Sequence, residues 1–298
     1  MKDLRKKETA RIPLLCAYLG HILWGFSYLF TKKALLTTGP NVLLSYRFIL
    51  ASFLMGILIL SGKVHVSFKG KDWLSAALLI VLQLLYYSFE SYSIYYTNAT
   101  MSGAVLAVAP VVAILFAILL LKEYPSKHQA IFCILPVIGV IIMTVAGNAL
   151  GIVSSKGAVF LFLACTTSGA YKTINRKTAR SFTSFERTFL VLSASAIGFT
   201  ISALRDVGGD FSIYLAPLAE PSFVLSVAAL GVLCSIGANL LVNYAVGRMS
   251  VVKLSSFGAI TTLCSMVSGV ILLGEPVSWS LVIGAVLILL GIYQVTKE

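Results

Sequence analysis

Long apolar stretches separated by short polar connections run the whole length of this chain. A membrane-spanning helix needs about 20 predominantly apolar residues. The pattern predicts ten, at roughly 12–34, 41–61, 73–95, 101–121, 129–147, 157–175, 186–204, 222–246, 253–273 and 279–296. The second five repeat the first. Displaced by 152 residues, Tyr92 falls on Tyr244, Leu119-Leu120-Leu121 on Ile271-Leu272-Leu273, Glu123 on Glu275, and Gly139 on Gly291. An odd number of crossings per repeat gives the two halves opposite orientations. Inverted repeats of this kind build alternating access around a site near the midplane. The expected architecture is an all-α membrane protein of ten transmembrane helices in two inverted five-helix repeats, 1–150 and 151–298. The Gly/Asn/Ser-containing stretch Gly147 to Lys156 is the expected hinge.

Composition narrows this further. Hydrophobic residues make up 58%, charged residues 11%, and the mean hydropathy is +0.95. A soluble domain carries roughly 25% charged residues, and only short loops remain outside the spans. The net charge of +12 is explained by where it falls. With the N-terminus inside, Lys and Arg gather in the inner segments, from Lys2–Arg11 through Lys69, Lys127, Lys172, Arg180, Arg187 and Arg248 to Lys297. The outer loops keep only Lys32, Lys33, Lys156 and Arg205, and Arg47 lies within a span. This bias predicts an integral protein of the bacterial inner membrane with both termini cytoplasmic, and it removes the case for nucleic acid. The basic start runs straight into a long apolar segment and reads as a retained first helix. The long outer connection from Asp206 to Pro221 reads as a solvated loop. The five cysteines all fall in spans without metal-ligand spacing and read as reduced packing residues. His21, His65 and His128 are scattered. No phosphate loop, nucleotide signature or nucleophile elbow is present, so neither an enzyme, a cofactor nor a metal is expected.

Three stretches carry a resemblance. The first helix has Trp24-Gly25-Phe26-Ser27. The first repeat has Ala109-Pro110-Val111-Val112-Ala113 followed by Leu119-Leu120-Leu121-Lys122-Glu123, and the second ends Gly269-Val270-Ile271-Leu272-Leu273-Gly274-Glu275-Pro276. Over essentially its whole length the chain resembles the EamA-type, ten-helix permeases of the drug/metabolite transporter superfamily. The resemblance implies a central cavity lined by helices 1–4 and 6–9, with helices 5 and 10 peripheral. One departure is plain: Pro110, a candidate helix bend, is matched in the second half by Thr262.

Polar residues inside the spans supply the candidate chemistry. Charged groups there normally face protein or a water-filled cavity. Arg47 and Glu90 lie at similar depth near the outer side. They either pair with each other, or one or both meet substrate or a coupling proton; an Arg fork suits a carboxylate. Helix 3 carries Gln83, Tyr87, Ser91 and Tyr95 at four-residue spacing, and 152 residues on stand Ser235, Asn239, Asn243 and Gly247. Such stripes are either cavity lining or interhelical hydrogen-bond glue. Helix 1 offers His21, Trp24 and Tyr28, and helix 9 offers Phe257 and Thr261. Lys172 is expected to snorkel to the inner face. The candidate substrate-binding set is therefore Trp24, Tyr28, Arg47, Tyr86, Tyr87, Glu90, Asn239, Asn243, Phe257 and Thr261. The expected function is secondary transport of small metabolites, amino acids first, by export. An organic-cation exporter of the same fold is the alternative, and a non-transporting receptor or assembly factor a third reading. Expected partners are a small-molecule substrate, membrane lipid and a coupling proton.

Overall fold

The structure is a computed structural model that describes residues 2–67, 69–96, 109–146, 155–273 and 279–297. Among these residues every regular element is helical. We label the segments that coincide with the predicted spans α1 (Lys2–Ala34), α2 (Pro40–Leu60), α3 (Trp73–Tyr96), α4 (Ala109–Phe116, continued by a π turn Ala117–Leu121) and α5 (Lys127–Phe132 and Ile134–Ala146). The second half supplies α6 (Ser155–Thr178), α7 (Ser184–Asp206), α8 (Pro221–Val246), α9 (Val251–Ser256 and Gly258–Leu273) and α10 (Trp279–Lys297). Five of them, α1 from Arg11, α2, α3, α7 and α8, are long and apolar enough to cross a membrane by themselves. α6 is as long, at 24 residues, but more polar, because one of its faces looks into a cavity.

Local chemistry sets the helix ends. Pro40 opens α2, where a missing N–H costs nothing. Thr183 and Glu186 form a reciprocal capping box at the start of α7, and Ser126 with Gln129 does the same for α5. Pro136 cannot donate to the carbonyl one turn back, and α5 is interrupted at Cys133. The widened π stretch of α8, Ala229–Ala238, leaves carbonyls to satisfy. The Asn239 amide donates to Ser235 O (2.8 Å) and Cys234 O (3.4 Å).

The helix packing is unchanged when the two halves are exchanged. α1 packs on α8 and α6 on α3; α1 packs on α9 and α6 on α4; α2 meets α7, α4 meets α9, and α5 meets α10. Close approaches at glycine show the same exchange residue by residue. A Cβ on Gly139 would meet Leu287 and Ile288, and one on Gly291 would meet Leu135 and Pro136, each contact being the other displaced by 152 residues. A Cβ on Gly25 would lie 2.4 Å from Cys264, and one on Gly169 would lie 2.8 Å from Val112. Contacts that map onto each other under exchange are what a two-fold produces. Tyr87 and Asn239, 152 residues apart, touch each other: Asn239 Nδ2 donates to Tyr87 Oη at 3.5 Å. A residue in contact with its own counterpart lies beside the pseudo-two-fold axis.

The molecule's outer faces carry exposed large apolar side chains, such as Ile49, Phe53 and Ile57 on α2, Ile197 and Ile201 on α7, and Ile283, Val286 and Leu290 on α10. With no aqueous core to bury them, they suit lipid. The chain is an integral membrane protein.

The long connection after α7 differs from the expected solvated loop. It forms a short helix, Phe211–Leu215, and a 3-10 turn, Ala216–Ala219. Tyr214 in it is buried, stacks on Tyr46 at 4.8 Å between ring centroids, and is within 2.7 Å of the Ser45 hydroxyl. Most of the expected hinge, at 147–154, lies outside the described residues, as does Glu275. Pro110 falls in the first described turn of α4, and the turn its ring would bend against, before 109, also lies outside them.

Candidate functional site

A cavity at the centre of the bundle, beside the pseudo-two-fold, encloses about 860 Å³ between its walls, mouth included. α1 supplies His21, Trp24, Ser27 and Tyr28; α2 supplies Arg47; α3 supplies Gln83, Tyr86, Tyr87 and Glu90. From the second repeat come Ser168, Tyr171, Lys172 and Asn175 of α6, Val242 and Val246 of α8, and Leu254, Gly258, Thr261 and Thr262 of α9. Among the described residues α4 and α7 contribute none. α5 and α10 pack against each other away from the cavity; the resemblance implied lining by helices 4 and 7 as well, and the described residues of those helices do not supply it.

Arg47 and Glu90 share this cavity without forming an ion pair. Arg47 Nε donates to Ser235 Oγ (2.7 Å), and the guanidinium lies over the Tyr87 ring, 4.9 Å from its centroid. Glu90 Oε1 accepts from Tyr86 Oη (2.6 Å) and Tyr28 Oη (3.2 Å). Each charge is thus held by neutral groups. The two arrive from different helices: α2 packs on α8 and α3 on α6 at the repeat interface. The Arg47 fork retains its terminal N–H groups for something else.

Of the candidate residues, Trp24, Tyr28, Arg47, Tyr86, Tyr87, Glu90 and Thr261 line the cavity. Asn239, Asn243 and Phe257 stand behind the wall. Asn239 satisfies the π stretch of α8 and meets Tyr87. Phe257 is fully buried against Tyr18, ring centroids 4.8 Å apart. Asn243 joins a buried polar cluster: it donates to Thr188 Oγ1 (2.7 Å), and its Oδ1 accepts from Asn175 (2.6 Å). At the centre of that cluster is Arg187, 2% exposed, which donates to Asn243 O (2.6 Å), to Asn175 O (3.2 Å) and to Asn175 Oδ1. The sequence pattern placed Arg187 among the solvated inner charges; position four residues into a capped helix does not reveal which way it turns. Lys172 is likewise corrected. It lines the cavity instead of reaching the inner face, because helical side chains lean toward their own N-terminus, here toward the middle of the bundle. Ser27, Ser168, Tyr171, Asn175 and Thr262 also line the cavity, outside the candidate set; Ser168, Tyr171 and Asn175 stand in the helix-6 region that corresponds to the polar positions of helix 1. The four- and three-residue spacing of Ser168, Lys172 and Asn175 across α6 is the signal that marks them.

Two buried lining groups have atoms without an internal partner. His21 Nδ1 is 2.8 Å from Ala17 O and so donates to it, leaving Nε2 as an acceptor with no partner; Gln83 Oε1 has none either. The cavity these residues line holds charges of both signs, which is chemistry for binding a polar small molecule. Among the described residues no His/Cys/Asp/Glu group is placed to hold a metal.

Residues 11–145 and 155–297 each match the EamA-like transporter family. The chain belongs to that family. It is 33% identical to the uncharacterized transporter YcxC of Bacillus subtilis (strain 168), over 93% of this chain and 91% of that one. It is 28% identical to the uncharacterized transporter YvbV of the same organism, over 100% of this chain and 94% of the relative. An uncharacterized transporter of Archaeoglobus fulgidus is 22% identical over 92% and 95%. A solved protein crystal structure superposes with a TM-score of 0.78 over 96% of each chain at 19% identity, which shows the same fold. The chain is a drug/metabolite-type membrane transporter.

Proposed function

We propose that the protein exports amino acids or closely related amphipathic metabolites across the bacterial inner membrane by alternating access, with both termini cytoplasmic. The observation that carries this reading is the separation of Arg47 from Glu90 within one cavity. A fixed guanidinium and a fixed carboxylate, each steadied by neutral neighbours, complement a substrate that carries a carboxylate and an ammonium. Trp24, Tyr28 and Tyr87 wall the apolar part. A pair of packings related by the pseudo-two-fold provides the two access states, inward and outward. Glu90 also suits a coupling proton.

The test is counterflow in proteoliposomes with labelled amino acids and their amide or ester analogues. Arg47→Gln should abolish transport of the carboxylate forms while leaving amides and esters partly transported. Because Arg47 and Glu90 do not pair directly, the double change Arg47→Gln/Glu90→Gln should not restore transport. Full carboxylate transport by that double variant would sink the zwitterion site.

One observation favours a second reading, organic-cation export. Glu90 is ringed by Tyr28 and Tyr86, with Trp24 nearby, and cations sit well on aromatic faces. Cation transport that survives Arg47→Gln and dies with Glu90→Gln in folded protein would select it.

A further inference from the structure

We propose that the cavity is built for a substrate with a second acidic group, which Lys172 receives: an acidic amino acid in preference to a neutral one. This rests on the reading of Arg47 and Glu90 as partners of the substrate's carboxylate and ammonium.

The cavity's charges do not balance. It is lined by Arg47 and Lys172 against the single carboxylate of Glu90. Among the described residues Lys172 makes no hydrogen bond or ion pair. The surplus is positive whether Glu90 is ionised or protonated. Behind the cavity wall stands a further cation, since Asn175, a lining residue, is held by Arg187, and among the described residues Arg187 donates to neutral oxygens alone. A neutral zwitterion matched to Arg47 and Glu90 leaves the Lys172 ammonium without a counter-charge inside the membrane, which is costly. A second carboxylate on the substrate removes that cost.

The geometry places Lys172 at the right end. α3 and α6 run antiparallel in contact. Thr178 Oγ1 donates to Ser75 O (3.4 Å), and Tyr92 stacks on Phe160 at 5.4 Å. Counting six residues from Thr178 back and from Ser75 forward sets Lys172 level with Val81. Glu90 is nine residues further along α3, about 13 Å at a rise of about 1.5 Å per residue. Side chains lean toward their own helix N-terminus. In antiparallel neighbours, Glu90 and Lys172 therefore lean toward each other and close on one small molecule from opposite ends. Glu90 shows the lean directly in its bond to Tyr86, one turn back. Gln83 lies between these two levels. It is 2% exposed, lines the cavity, and its Oε1 is unpartnered. His21 is 1% exposed with Nε2 unpartnered. Both residues line the cavity alongside its charges.

The experiment uses the full-length protein in proteoliposomes, with counterflow of L-glutamate against L-glutamine. The same pair is run as thermal stabilisation of the purified protein in detergent. The wild type should favour glutamate by about tenfold or more, the order expected when a membrane-buried charge gains its counter-ion. Lys172→Gln should flatten or reverse that ratio, and Lys172→Arg should keep its sign. Equal handling of both compounds by the wild type, or a preference for glutamine, overturns the inference and leaves the amino-acid reading standing. A glutamate preference that persists in Lys172→Gln removes Lys172 from the site. If neither compound is carried or stabilises the protein, the amino-acid reading falls and this inference falls with it. Should Lys172→Gln not fold, Lys172→Met and the wild-type stabilisation ratio decide, equal stabilisation again being fatal.

Discussion

Arg187 donates to three neutral oxygens of Asn175 and Asn243 and, among the described residues, to no carboxylate. A buried cation so held depends on every member of its network. Asn243 is the hub, since it also bonds Asn175 and Thr188. Asn243→Leu strips these partners and should cost about 1–3 kcal/mol for each buried group left unsatisfied. We expect a clear drop in thermal unfolding temperature and in folded yield. Because Asn243 stands behind the cavity wall, the substrate KM of the folded fraction should stay near wild type. A variant with normal stability and a shifted KM would move Asn243 into the binding site. The sequence showed that Asn243 was polar within a span. It did not show whether a ligand or Arg187 would claim it, because a helical stripe gives the face but not the neighbour.

At the level of helices, glycine sets how closely the repeats approach. The α1–α9 and α6–α4 contacts are matched at Gly25 and Gly169, where an added Cβ would come within 3.0 Å of neighbouring atoms. Gly25→Ala and Gly169→Ala should each destabilise the protein by about 1–3 kcal/mol through overpacking. Gly56 on α2 has nothing within 4 Å of an added Cβ, and Gly56→Ala should be within about 0.5 kcal/mol of wild type. Thermal unfolding in one detergent compares all three; a Gly56→Ala loss as large as the others would refute the close-approach account. The Trp24-Gly25-Phe26-Ser27 stretch was visible in the sequence as part of a family resemblance. Its physical role, contact with Cys264 across the bundle, was not.

For the whole molecule, an even number of crossings puts both termini on one side, and the proposal that this side is the cytoplasm rests on the charge bias. In a cysteine-free background, single cysteines replacing Lys69 or Arg180 should label only from inside, and those replacing Lys156 or Asp210 only from outside. Labelling of position 69 from outside alone would reverse the orientation. Cysteine at Tyr87, which lines the cavity, should react with small polar thiol reagents and be protected by bound substrate. Cysteine at Asn239 should react less, since that side chain is turned into the α8 π stretch. Equal, substrate-protected labelling at both positions would return Asn239 to the cavity surface.

Apolar run length, the 152-residue repeat and the distribution of Lys and Arg specified a ten-span membrane protein with two equivalent halves, because the bilayer imposes those patterns on any chain that crosses it. They also marked Arg47, Glu90 and the tyrosines of α3 as residues needing partners, because charge and hydroxyl inside lipid demand them. Which partners they take was decided by tertiary structure alone. Glu90 turns to Tyr28 and Tyr86 rather than Arg47, Lys172 enters the cavity rather than the interface, and Arg187 is buried among amides. Each outcome depends on which helices the pseudo-two-fold brings side by side, and at what level. A linear pattern carries the period of a helix but not the rotation and height at which its neighbour meets it.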